Sequence, residues 1–311
     1  MAKNIGKLWK RFVSCFGLSV FFGACCLNVG GQEVEFQEPQ KGVNLAKDVD
    51  SRDGVRVLLD NGYSRSPRLG DKLELTINGV DVVFYYCPAG TFLMGSLDSE
   101  KGRFRSETRH LVTLTKGFWL LETEVTQALW QAVMGENPSR FKGETLPVER
   151  ISWEDCAAFV SKLNEGGFAP SGTTFDFPTE AEWEYACRAG TRTIYSFGDE
   201  FSWEKANSGG GVATGVPKDA ESPRQTTPVK SYSPNAWGFY DMHGNVWEWC
   251  KDWYEGYPDE HVTDPIGLNN DARATRGGAW LFNAAGCRSA SRDAWEPDYR
   301  GSHIGFRLAL R

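Results

Sequence analysis

The sequence predicts an irregular, loop-rich α+β domain, and three observations carry that expectation. The 311 residues are 41% hydrophobic, enough for a sizeable core, yet 34 glycines and 14 prolines punctuate them too often for a helical bundle. Strand-like runs and short capped helices alternate with long unpatterned stretches, and no repeat of solenoid period is present. Residues 237–249, WGFYDMHGNVWEW, pack three tryptophans, a tyrosine and a phenylalanine into one segment, which points to a fold pinned by rings.

Taken in order, residues 73–87 (LELTINGVDVVFYYC) form two strand-like runs around Asn78-Gly79, a dipeptide suited to a tight hairpin turn. A strand through Thr115 and another through Leu121 follow. Thr126 as N-cap and Gly135 beyond Met134 then bracket a short helix. Ser152 with Asp155 opens a second helix whose Cys156, Phe159, Val160 and Leu163 share a face, so Cys156 reads as a small buried hydrophobe. Thr179 with Glu182 makes a further capping box, Trp183, Ala186 and Cys187 form the inner face, and Gly190 stands where a left-handed residue ends a helix. The paired acids Glu180/Glu182 and Asp259/Glu260 read as capping or solvated groups. Residues 202–225 carry four glycines and few apolar side chains, a long excursion of the kind held by a ligand or used for function.

In residues 237–249 neither period holds, because Gly238 and Gly244 interrupt both. The segment reads as a packed irregular loop whose polar groups need partners. Asp241 and Glu248 either supply oxygen ligands to a hard cation such as Ca²⁺ or accept hydrogen bonds from nearby amides.

Residues 1–31 read as a secretory signal. Lys3, Lys7, Lys10 and Arg11 precede an apolar run over 12–29, with a cut expected before Gln32 or, in the lipoprotein alternative, an acceptor at Cys25. Without that segment 30 basic residues face 41 acidic ones, a net charge of −11, which argues against nucleic acid or an anionic membrane surface as partner. Five of the 8 cysteines remain (Cys87, Cys156, Cys187, Cys250 and Cys287), an odd number for an oxidising compartment.

PAGTFLMGS (88–96), FPTEAEWEYACRAG (177–190), GNVWEW (244–249), RGGAW (276–280) and IGFR (304–307), in this order, resemble the sulfatase-modifying-factor family, founded by the formylglycine-generating enzyme. The resemblance starts near Phe84. It divides the chain into a signal (1–31), an extension or linker (32–80) and a family domain (81–311). It implies a fold related to the C-type lectins, with loops held by paired Ca²⁺ sites. By position, one site would take the side chains of Asp241 and Glu248 and the carbonyls of Gly244 and Val246. The other would take the Asn207 side chain, the Ser208 carbonyl and an acid near Asp219 or Glu221, with Glu221 preferred.

The family's oxidase centre resembles Cu(I) held by two thiolates five residues apart, soft ligands for a soft metal. Counting from Arg276-Gly277-Gly278, the first thiolate position is Phe282 and the second is Cys287. Counting back from Ile304 instead puts Cys287 on a structural cysteine whose disulfide partner would be Cys187. Either way a two-thiolate copper centre is incomplete. The resemblance therefore implies an exported, non-oxidase, calcium-stabilised binding or accessory module. A polypeptide or glycan would be its ligand, near Trp247, Trp280 and Trp295. The alternative is an oxidoreductase that converts a sulfatase cysteine to formylglycine with O₂, for which Cys287 is the one candidate catalytic residue.

Overall fold

Strict alternation of apolar and polar side chains makes the first strand, β1 (Lys72–Ile77), half-buried, with Leu73, Leu75 and Ile77 inward. It pairs antiparallel with β2 (Val80–Cys87) from Ile77–Val80 outward. Asn78 and Gly79 both have positive φ (47° and 85°), the backbone that a two-residue hairpin of this twist requires. In this computed structural model the described residues are 65–209, 222–269 and 271–311. Two backbone strand pairs lie ahead of them, Cys26–Val29 with Gln32–Glu35 and Val57–Leu58 with Ser64–Arg65. The chain divides into the units Met1–Lys41 and Gly42–Arg311. Most of the expected signal, including Cys25, lies outside the described residues, as do Asp219 and Glu221.

The remaining elements are short. They are β3 (Gly90–Met94), β4 (His110–Leu114), β5 (Phe118–Leu121), α1 (Gln127–Met134), α2 (Trp153–Glu165), β6 (Phe175–Asp176) and α3 (Glu180–Arg188). After the long excursion come β7 (Trp247–Trp253), β8 (Val262–Thr263), β9 (Arg273–Arg276), a 3₁₀ turn (Ala284–Cys287), β10 (Arg292–Trp295), β11 (Ile304–Gly305) and β12 (Ala309–Leu310). The strands form sheets ordered β6-β12-β5-β2-β1, β10-β9-β7-β11 and β8-β4-β3. Among the described residues this is the irregular α+β architecture the composition predicts.

All three helix starts lie where their caps place them. Thr126 accepts from Leu129 N, and Ser152/Asp155 and Thr179/Glu182 are complete capping boxes. Trp130 of α1 stacks on Phe159 of α2 at 5.1 Å, and both rings meet Phe306 edge-on, so the helices close over the first sheet. Two details differ from the sequence reading. Helix α3 ends on two left-handed residues, so the expected Gly190 (φ 87°) is preceded by an unexpected one at Ala189 (φ 47°). Residues 247–249 are not loop but the start of β7. That strand is covered on both faces and flanked by β9 and β11, which removes the apolar alternation that would reveal a strand.

Glu180 also corrects an expectation. It is neither cap nor solvated surface. Its carboxylate is buried and accepts from Arg276 Nε at 2.8 Å and from Arg292 at 2.8 and 2.6 Å. Glu184, one turn on, accepts from Arg188 and Arg276, each at 2.8 Å. Against the burial that opposes it, Arg292 and Arg276 hold Glu180, and Arg188 and Arg276 hold Glu184, below the ordinary glutamate range. Glu182 does cap, receiving Thr179 N at 2.7 Å.

Candidate functional site

The loop that ends at Val246 departs from regular backbone at several consecutive points. Gly238, Asp241, Gly244 and Asn245 all have positive φ, at 94°, 58°, 121° and 65°. Gly244 is obligatory, since a β-carbon there would lie 2.0 Å from Asn207 O. Left-handed conformations held outside glycine persist only where the surroundings impose them, and they gather at binding sites.

The polar groups around this loop are unevenly satisfied. Glu248 is complete: Arg307 donates from Nε and Nη2 at 2.6 Å each, and Trp183 Nε1 donates at 2.7 Å. Asp241 accepts from Lys230 N through Oδ2 at 2.9 Å, but its buried Oδ1 has no partner. Asn207 donates through Nδ2 to Gln225 O at 2.9 Å, with longer contacts to Thr227 and Asn245, while its Oδ1 is likewise unpartnered. Asp241 and Asn207, which the resemblance assigned to two sites, line one small hollow with a cavity volume of about 20 Å³.

A further buried acid, which the sequence reading missed, lines a different hollow with Glu122 and Lys230, and its charge is felt by Asp241 and Glu248. Glu124 follows β5, is wholly buried, and has no partner on either carboxylate oxygen. Burial pushes it well above the ordinary glutamate range, with the charges of Asp241 and Glu248 adding to the shift. Asp241 is pushed up to about 6, chiefly by burial, with Lys230 N–H and Arg307 opposing. Two acids two residues apart in the otherwise apolar run FWLLETEV were the available signal. The first, Glu122, is paired with Lys230, leaving Glu124 as the uncompensated one.

Buried oxygens without donors are rare and call for protons or a cation. Asp241 Oδ1, Asn207 Oδ1 and Glu124 fit a hard, oxygen-liganded ion. Glu248 fits less well, because only Oε1 keeps a free lone pair beside Arg307. No group of three or more His, Cys, Asp or Glu with metal-site geometry occurs among the described residues, so amide and carbonyl oxygens would have to complete any shell.

Copper meets the opposite outcome. Phe282 packs edge-on against Trp247 at 5.7 Å and at a tilt against His303 at 5.4 Å. Its ring offers no ligand. Cys287 is wholly buried in the 3₁₀ turn, its Sγ 3.8 Å from Asn283 O, and burial pushes the thiol up to about 12. A single buried thiol does not fit a two-thiolate centre. Cys187 and Cys287, the pair implied by the resemblance, are both free thiols in this structure. His243 touches each, with Nε2 3.7 Å from Cys187 Sγ and Nδ1 2.8 Å from Cys287 O. Burial lowers this imidazole to about 4, which keeps it neutral.

The motifs, the fold and the site define a class, and comparison with known proteins agrees with it. A family model described as a sulfatase-modifying factor enzyme 1-like domain matches residues 81–311. The chain belongs to that family. It is 36% identical to a formylglycine-generating enzyme of Streptomyces coelicolor over 174 residues, 52% of each protein, so it spans about half the length of that relative. It is 30% identical to an inactive C-alpha-formylglycine-generating enzyme 2 of Mus musculus over 192 residues, 60% of this chain and 56% of that one. Among solved structures, Treponema denticola variable protein 1 superposes with a TM-score of 0.66 at 29% identity, covering 77% of this chain and 99% of that one. No helix among the described residues is long and apolar enough to cross a membrane.

Proposed function

We propose that this chain is a binding or accessory member of the family, stabilised by calcium and without the copper oxidase chemistry. One observation carries the reading: the first thiolate position is Phe282, packed between Trp247 and His303, and the remaining thiol is buried. The family includes a relative named as inactive, which makes such a loss reasonable. Calcium would be held by Asp241, Asn207 and Glu124, with carbonyls of Gly244, Val246 and Ser208 and the free side of Glu248 as further oxygens. Bound there, the ion would offset the burial that raises the pKa of Glu124 and of Asp241. The basic and apolar leader over 1–31 supports export. The ligand would lie near Trp247, Trp280 and Trp295, of which Trp247 packs against Phe282.

Two measurements test the reading. Calcium at about a hundred times its Kd should stabilise the fold by about 2.7 kcal/mol, a rise of several degrees in Tm that Glu124→Gln abolishes. No calcium-dependent shift in the wild type would remove the cation from the proposal. In Cu(I) competition against bicinchoninate the wild type should retain no copper. Stoichiometric capture that Cys287→Ser eliminates would restore the oxidase alternative.

A further inference from the structure

Among the described residues a hollow of about 90 Å³ opens where β3 and β4 meet α3, β7 and β10, several times the ~15 Å³ that one water requires. None of its lining residues belongs to the calcium set, and Phe282 is not among them. Met94, Ala181, Pro258 and Pro265 give it largely apolar walls, with Met94 paired across the sheet to His110. At its mouth Ile266 is 38% exposed, and Leu268, two residues on, is 65% exposed.

The titratable groups that line it are used unevenly. Arg292 spends its guanidinium on Glu180, Ser106 O and Glu255 O. Tyr257 Oη accepts from Arg276 and bonds Glu180. The titratable groups left over are acceptors. Asp252 is 4% exposed and accepts from two backbone amides, Glu180 N at 2.8 Å and Gly267 N at 3.0 Å. Glu255 accepts Leu268 N at 3.0 Å and Asn269 N at 2.7 Å, both through Oε1. Neither acid makes an ion pair among the described residues, and burial, with the charge of Glu180 adding, pushes Asp252 up to about 7. His110, also 4% exposed, donates through Nδ1 to Thr108 O at 2.9 Å, so its Nε2 is a bare acceptor without a partner among the described residues.

A ligand for this hollow must therefore donate. Two acids without a cation repel a phosphate or a carboxylate. A bare metal ion is disfavoured, because no three His, Cys, Asp or Glu among the described residues stand in metal-site geometry. A hydroxyl brings one donor and no charge, whereas an ammonium brings three donors and the opposite charge. Methylenes behind it would pack on the apolar walls. We propose that this hollow binds a primary ammonium group on an apolar stem, with His110 Nε2, Asp252 and Glu255 as acceptors. A lysine side chain of a polypeptide and a free alkylamine share that chemistry.

Isothermal titration of the full chain at pH 8 and low salt tests it, with n-butylamine, the blocked tripeptide acetyl-Leu-Lys-Leu-amide and neutral 1-butanol as probes. At least one of the two ammonium probes should bind saturably, and 1-butanol should not. A tripeptide bound at least roughly tenfold tighter than butylamine identifies a polypeptide lysine, held also by the apolar mouth, and anything less identifies a free amine. Glu255→Gln keeps an acceptor for both amides and removes the charge. Ile266→Arg, at an exposed position, sets a fixed positive charge at the mouth. Each should weaken binding roughly tenfold with an unchanged melting curve. Binding of neither ammonium probe, equal binding of 1-butanol, or full affinity in either variant would overturn the proposal. The calcium-dependent shift in Tm is read separately and should persist in both variants, because the hollow shares no residue with the calcium set.

Discussion

Asp241 shows how burial turns one side chain into a pH-dependent load. Its folded-state value of about 6 lies above the ordinary 3.8, so between the two the native protein keeps a proton that the unfolded chain has released. The stabilising contribution is complete below the unfolded value and is lost as pH rises to about 6, worth about 3 kcal/mol for a shift of this size. His243 acts in the opposite sense over an overlapping range, because its value of about 4 lies below the ordinary 6.5. The wild type compared with Asp241→Asn in chelator isolates the carboxylate: the unfolding free energy of the wild type relative to the variant should fall as pH rises from about 4 to 6. Parallel pH profiles would show that Asp241 is ionised throughout. The sequence offered Asp241 either as a cation ligand or as an acceptor for nearby amides, because an acid stands in a glycine-broken aromatic loop, and Lys230 N does donate to it. It could not mark Glu124, whose significance depends on the absence of any donor within reach, and that is set by distant chain.

Helix α3 separates what is local from what is not. Its cap is made by residues three apart and could be read directly. The charge pairing of Glu180 with Arg276 spans 96 positions and left no local trace, so the acid passed for a surface group. The energies follow the same division. Thr179→Ala removes one cap and should cost about 1 kcal/mol. Arg276→Met leaves Glu180 and Glu184 short of positive charge in the interior and should cost about 3–5 kcal/mol. Urea midpoints at pH 7 rank the two. Equal costs would mean that Arg292 and Arg188 alone neutralise the helix. β7 is the other element the sequence left open, since a strand covered on both faces carries the same residue types as a packed loop.

At the scale of the molecule, the loop-rich α+β class was legible from glycine, proline and ring content, and the family from short motifs spread over more than two hundred residues. The arrangement of the thiols was not. Cys87, Cys156, Cys187, Cys250 and Cys287 are each wholly buried and free. Iodoacetamide should leave all five untouched in the native protein and modify all five after denaturation. Rapid native labelling of Cys287 would contradict its burial. The order of the first sheet has a kinetic consequence of its own. β12 lies between β6 and β5, and Arg311 exchanges both backbone hydrogen bonds with Thr174, so an interior strand of that sheet comes from residues 309–310. A chain leaving the ribosome therefore cannot close this layer until residue 310 has emerged. Closing β12 onto β5 spans nearly two hundred residues, a long-range pairing of the kind that slows folding.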